Sequence, residues 1–437
     1  MPTSHVSLAH FRAELYQTFG LRRDALFDVL DAVLTSERGQ SLVRLSLAPA
    51  YQRQWPSIFD ALTDGTLNVL ALRRRLVRTL PCPPDDRREL WALDGSGWPR
   101  PEAKTSPERT YTRFVTPGIP ASGIVDGWEY QWLAAIPEDR GSWVLPLDVT
   151  RRGPDAGTAT QLAIRQLRHV LLHRRPDAPR PVVVMDSHYD VAALVRAVPE
   201  VDLLARLAAN RRFRQAPPPD DGKGRPRTHG PAVRLAVPDT HPTPDAHQRF
   251  DDPDYGTVTI DAWTDLHAEK SADVPVMVIR VAVAHLPRRA TPPNPLWLAW
   301  AGTSCPVDLR DLWHAYQRRF AIEHAFRFLK QDLGWTTPRL RAPAAADRWS
   351  WLLVGALWQM WLARALVSDH RLPWERPVDA TRLSPGRVRR VMAALLATLG
   401  SPARDPRPRG KAPGRRVGHG PGRAPRHPVQ RRGPPAA

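Results

Sequence analysis

The hexapeptide PVVVMD at 181–186 decides the fold. Three consecutive β-branched valines and a methionine close on an aspartate, the pattern of a short strand buried on both faces with an acid at its C-terminal edge. Upstream, TATQLAIRQLRHVLLHR (158–174) repeats apolar residues every three or four positions and reads as a helix. Downstream, YDVAALVRAV (189–198) reads as a short helix and DLLARLAAN (202–210) as another strand. Before the first helix lie three β-like runs, ELWALDGS (89–96), IVDGWEYQWLAAIP (124–137) and SWVLPLDVT (142–150), which form a candidate antiparallel meander. The order β-β-β-α-β-α-β belongs to the α/β class.

Further out the texture changes. Residues 1–85 are helical in pattern, with LRRDALFDVLDAVL (21–34) and SIFDALTDGTLNVLALRRRLVRTL (57–80), and PCPPDD (81–86) ends the block. Its RRR run makes it a candidate helical DNA-binding region, against the plainer reading of a solvated helix face. Residues 86–210 hold the α/β unit. Residues 211–308 open on a Pro-, Gly- and charge-rich loop, QAPPPDDGKGRPRTHGPA (215–232), then run through TVTIDAWTDL (257–266), PVMVIRVAVAHL (275–286) and PLWLAWAG (295–302), which together read as a β-rich insertion. Within 309–370 helical periodicity returns from Leu309 to Trp335 as one helix, a second helix runs from about Asp347 to Val367, and 371–437 becomes a basic Pro/Gly-rich tail. From Pro402 onward, 15 of 36 residues are Pro or Gly, a composition expected to stay largely disordered. WSWLLVGALWQMWLARAL (349–366) is apolar enough to raise a membrane span, but Gln359 and Arg364 interrupt it and it reads as a buried core helix, with no membrane partner.

The chain has 63 Lys+Arg against 44 Asp+Glu, a net charge of +19, which favours phosphate-rich polymers as partners. Residues 402–437 hold ten of the cations and one Asp, so the tail carries +9 and the body +10. The two cysteines, Cys82 and Cys305, lie far apart without metal-ligand spacing, which excludes a disulfide framework or a zinc finger. The N-terminus lacks a signal-peptide pattern, and a cytoplasmic location is expected. DGSG (94–97) and DDGKG (220–224) do not match a phosphate-binding loop, so no ATP-driven step is implied.

Three acids stand out. Asp94 interrupts WALDGSGW near the end of an apolar strand, and Asp186 ends PVVVMD. A single such Asp is most simply a cap or turn residue; two in one α/β unit weaken that reading. Glu323 lies within HAYQRRFAIEHAFRFLKQDLGW (314–335). On a uniform helix at about 100° per residue, Tyr316, Arg319, Glu323 and Lys330 fall within about 60° of one another, beside an apolar stripe of Ile322, Phe326, Leu329 and Leu333. Lys330 is one of five lysines against 58 arginines, and a compact ammonium suits a point contact to phosphate. Asp190, Asp126 and Glu129 compete for the acid roles, and His188 sits close to Asp186.

The spacing of Tyr316, Arg319, Glu323 and Lys330 resembles the Y-R-E-K signature of a group of bacterial insertion-sequence transposases of the DDE superfamily. The strand order, with Asp94 on the first strand and Asp186 on the fourth, resembles the ribonuclease-H-like fold of that superfamily, and the likeness spans 88–366. The 136 residues between Asp186 and Glu323 match the β-rich insertion that this group carries there. The resemblance implies a DDE transposase that cleaves double-stranded DNA at its element's terminal inverted repeats and transfers the ends to target DNA, as a homodimer in the DNA complex. A nuclease without strand transfer, or a catalytically silent DNA-binding protein, remains an alternative. Asp94, Asp186 and Glu323 would be the catalytic acids and hold Mg²⁺ or Mn²⁺, two ions about 3.5–4 Å apart. Tyr316, Arg319 and Lys330 would hold DNA phosphates. Trp263 and Trp300 lie in the insertion, where related transposases stack an extruded base, although the core reading is favoured for each.

Overall fold

A computed structural model describes residues 7–36, 38–83, 88–114, 123–139, 141–219, 227–287, 293–303, 307–408, 414, 418 and 422–432. The DDGKG motif, Cys305 and part of the basic tail lie outside these. Five helices open the chain: α1 (Leu8–Gln17), α2 (Arg23–Thr35), α3 (Leu42–Leu45), α4 (Pro56–Asp64) and α5 (Val69–Thr79). The α/β unit follows: β1 (Leu90–Pro99), β2 (Thr110–Phe114), β3 (Gly123–Ala135), β4 (Leu145–Arg151), α6 (Ala159–Leu171), β5 (Val182–Met185), α7 (Val191–Ala197) and β6 (Asp202–Leu207). Then come β7 (Arg212–Arg214), β8 (Ala232–Arg234), β9 (Ala246–Asp252), β10 (Gly256–Ala268), β11 (Val276–Val283) and β12 (Leu296–Ala301). The last helices are α8 (Leu309–Arg318), α9 (Ala321–Gln331), α10 (Pro343–Ala363) and α11 (Pro385–Leu399).

The meander expected from three β-like runs is present as β1, β3 and β4, each antiparallel to the next. Sequence reading missed β2, which pairs with Gly123–Gly127 at the start of β3. Asp186 therefore follows the fifth strand, not the fourth. β5 is buried along its whole length and runs parallel to both β1 and β6, as an uninterrupted apolar run requires. The mixed sheet with helices on it is consistent with the ribonuclease-H-like fold of DDE proteins. α6 is set by a capping box between Thr158 and Gln161, and its buried Gln166 hydrogen-bonds Gln131 of β3 and Asp148 of β4.

The insertion is not a separate body. β12 pairs antiparallel with β6, and β11 and β10 continue from it, so one sheet runs in the order β2-β3-β1-β5-β6-β12-β11-β10-β7-β8. Trp263 and Trp300 are 4% and 3% exposed, which leaves neither ring presented for base stacking.

α10 is a core helix, buried along most of its length, and α1, α2, α4, α11 and β4 pack around it. No described helix is long and apolar enough to cross a membrane. Arg12 locks this assembly from the inside: its guanidinium binds both oxygens of Asp31 (2.8 and 2.9 Å), Gln359 of α10 (2.5 Å) and the Gly400 carbonyl (3.1 Å). The first 85 residues thus share one hydrophobic core with the rest instead of standing apart.

Two further expectations change. Within RRR, Arg73 turns inward onto buried Asp148 and Arg75 pairs with Glu14, while Arg74 stays exposed. The expected tail contains α11, whose Val388, Met392 and Leu396 are buried against α2 and α10. Beyond it, residues 422–432 return to the edge of β2, where the Gln430 amide donates to the Arg109 carbonyl (2.8 Å).

Candidate active site

Strand register builds the acid pair. β1 and β5 are parallel with Leu93 opposite Met185, so the next residue of each, Asp94 and Asp186, emerge side by side where β5 stops. β1 itself continues to Pro99 alongside β3, which puts Asp94 in mid-strand and not near the strand end. The Asp94 side chain is 15% exposed and accepts a hydrogen bond from the Gly95 amide (2.7 Å). Asp186 accepts from the His188 amide (2.9 Å) and lies 2.6 Å from its Nδ1. Burial pushes the Asp94 carboxyl up to about 6; Arg319 opposes the shift, and Asp186 and then Glu323 add to it. Three carboxylates thus act on one another here.

The third acid arrives on a helical elbow. The single helix expected over 309–335 is broken between α8 and α9. There the Arg319, Phe320, Ile322 and Glu323 amides donate to the carbonyls three residues back, a tightened turn. The overwinding turns Arg319 inward (5% exposed) and Phe320 outward (43% exposed). Arg319 then spans two elements: one nitrogen donates to Asp94 Oδ2 at 3.0 Å and the other to Glu323 Oε1 at 2.9 Å. The Tyr316 and Phe320 rings lie 5.7 and 5.0 Å from its guanidinium. Glu323, in the first turn of α9, has a half-exposed side chain. Lys330 stands two turns along, its ammonium 5.7 Å from the Trp335 ring, and burial lowers its pKa to about 8. Gly334, at φ 71°, ends the segment in the left-handed region and directs Trp335 into the core.

The competing acids have other work. Asp190 caps α7, accepting from the Ala193 amide (3.1 Å). Asp126 pairs with Arg109 (3.4 Å), and Glu129 with Arg152 (3.2 Å) and Arg432 (2.5 Å). Sequence reading missed Tyr189. It is 7% exposed, and burial together with the charges of Asp94 and Asp186 holds its hydroxyl well above the ordinary range, so a neutral phenol backs the acid pair. Its place in DSHYD, just after a strand-end acid, was the available signal.

Hard carboxylate oxygens on a shared spot suit a divalent cation of the Mg²⁺ type. Asp94 and Asp186 meet that requirement through their register. Glu323 is within reach but turned onto Arg319, and among the described residues no three His, Cys, Asp or Glu side chains stand in a ligating group. A cleft of about 1000 Å³ opens at the opposite end of β1 and β5, around Leu90 and Val182, and includes Asp252, Asp254, Asp308 and Asp311 but none of the candidate acids.

A family model described as DDE superfamily endonuclease matches residues 14–270, more than half of the chain. The match includes Asp94 and Asp186 and stops short of Glu323. No curated protein matches the chain. The chain belongs to the DDE superfamily endonucleases, a family of nucleic-acid-cleaving enzymes whose members generally use divalent metal ions.

Proposed function

We propose that this DDE superfamily endonuclease is a transposase of the insertion-sequence group with the Y-R-E-K signature, cutting DNA at the ends of its element and joining them to target DNA. The observation that carries the reading is the side-by-side emergence of Asp94 and Asp186 from parallel strands, with Glu323 tied to the same spot through Arg319.

Asp94, Asp186 and Glu323 are the residues to hold Mg²⁺ or Mn²⁺. Such ions lower the pKa of an attacking water or 3′-hydroxyl and stabilise the leaving oxygen in an in-line displacement at phosphorus. The chain's own contribution is placement. The sheet fixes two carboxylates against relative movement, and α9 brings the third from another direction. Tyr189, buried and kept neutral near the pair, adds no further charge to it. Tyr316, Arg319 and Lys330 supply hydroxyl, fork and ammonium for phosphates of the bound end. His188, bonded to Asp186, orients that carboxylate. Hydrolysis at one strand and transesterification by the resulting 3′-hydroxyl use the same acids, so strand transfer needs no second centre. Two ends must be cut together, which favours a homodimer on DNA.

The test is strand transfer on linear DNA carrying the element's own terminal inverted repeats, with Asp94→Ala as control. Joint molecules from the unaltered protein, absent with the control, support the transposase. Nicked or cut DNA without joint molecules identifies a nuclease without transfer. Binding with no cleavage in Mg²⁺ or Mn²⁺ identifies a catalytically silent relative.

A further inference from the structure

We propose that Arg319 is the resident counter-cation of the acid centre: its guanidinium bridges Asp94 and Glu323 in the metal-free protein, and divalent-cation binding requires it to release them. The inference rests on the metal-binding reading above and concerns what the site does before it is loaded.

The geometry is specific. Asp94 comes from β1 and Glu323 from α9, and the Arg319 fork takes one oxygen from each, at 3.0 and 2.9 Å. Asp94 has little contact with solvent, so its charge needs a nearby partner when no ion is present. A guanidinium and a divalent ion draw on the same carboxylate lone pairs, and one excludes the other at close range. Arg319 is not a mobile surface side chain; it is 5% exposed and packs against the rings of Tyr316 and Phe320, which meet edge to face beside it. Its release therefore needs an alternative partner, and a DNA phosphate offers the same planar fork two oxygens. Arrival of a phosphate would free the acids for the ion, and binding of the ion would free the fork for a phosphate. The two events are then coupled with equal strength in both directions. Arg319 is in this sense a positioning residue, and the tightened turn that carries it is the pivot.

The test is the affinity of the full, DNA-free chain for Mn²⁺, read at pH 8 by the electron-paramagnetic-resonance signal of the unbound ion. Arg319→Gln leaves a shorter polar side chain without charge and should bind Mn²⁺ about tenfold tighter or more, since a buried competitor has been removed. Phe320→Ala removes one of the two rings that Arg319 packs against, from an exposed position and without touching either acid, and should tighten binding a few-fold. This second variant answers the question should Arg319→Gln not fold. Asp94→Asn should abolish the site in every background. Mn²⁺ affinity unchanged or weakened in both Arg319→Gln and Phe320→Ala, with Asp94-dependent binding retained in the unaltered chain, would overturn the counter-cation role alone. Binding that is absent in all forms, or insensitive to Asp94→Asn, would overturn the metal reading as well.

Discussion

The strand ledge that carries Asp94 and Asp186 and the helical elbow that carries Arg319 and Glu323 solve the same problem in opposite ways. On the ledge, position follows from backbone: four register pairs between β1 and β5 leave the two acids no freedom to part. On the elbow, position follows from side chains, with Arg319 packed against two rings and a Glu323 that is half exposed. The ledge is a fixed half-site and the elbow an adjustable one. The difference teaches where a centre of like charges keeps its tolerance: on the ledge Asp94 is raised in pKa by burial, with the charge of Asp186 adding to the shift, and on the elbow Glu323 is left able to turn.

The comparison breaks most visibly in cleavage. Asp94→Ala and Asp186→Ala should each lower the rate of DNA cutting in Mg²⁺ by on the order of a thousandfold or more, with duplex binding largely kept. Glu323→Ala should also abolish useful cleavage, but Glu323→Asp, on the adjustable side, should recover part of it in Mn²⁺ while Asp94→Glu, on the fixed side, should not. Equal recovery at both positions in a cleavage time course would erase the distinction.

Stability sharpens it next. Removing the Arg319 guanidinium leaves the mostly buried Asp94 without its partner, so Arg319→Ala should cost about 3 kcal/mol in urea unfolding at neutral pH. Glu323→Ala, at a half-exposed position, should stay within about 0.5 kcal/mol.

A pH experiment follows from Asp94 itself. Its carboxyl titrates at about 6 in the fold, above its value of 3.8 in the open chain. A group raised in this way favours the fold fully below the unfolded value, and that contribution is lost as pH rises through 6. Asp94→Asn should therefore raise the metal-free melting temperature at pH 8 relative to the unaltered chain, by an amount corresponding to roughly 2 kcal/mol, and the gain should shrink as pH is lowered to 4.

The smallest effect separates two neighbours in one arginine run. Arg74, exposed, is available to phosphate, whereas Arg73 is bound to buried Asp148. Arg74→Ala should shallow the salt dependence of DNA binding by about one unit and leave the melting temperature alone; Arg73→Ala should do the reverse. Lys330→Ala should likewise shallow the salt dependence of binding at the element end.

The same contrast explains what could be read from sequence. PVVVMD and WALDGSGW announce themselves because burial on both faces forces continuous apolar runs, and the acids that interrupt them are conspicuous. β2 escaped because it is five residues long and lies at the sheet edge, where no such run is required. α11 was hidden by the Pro and Arg around it, although RVRRVMAALLATL (387–399) carries helical periodicity. The elbow was half legible: the spacing of Tyr316, Arg319, Glu323 and Lys330 placed Arg319 beside Glu323, but a uniform 100° step does not register a tightened turn, and so concealed the inward swing of Arg319 onto Asp94. Tyr189 carried only a faint signal, its place three residues after Asp186, because its electrostatic tie to Asp94 is made by the fold.

The most direct test of the acid centre is iron-directed cleavage of the polypeptide. Fe²⁺ bound to the metal-free chain, with ascorbate and peroxide, cuts the backbone next to the site that holds it, and mass spectrometry of the fragments locates the cuts. The account predicts scission near residues 94, 186 and 319–323, suppressed by excess Mg²⁺ and lost in Asp94→Asn. Scission confined to the acidic cleft around Asp252, Asp254, Asp308 and Asp311, and unaffected by Asp94→Asn, would contradict it.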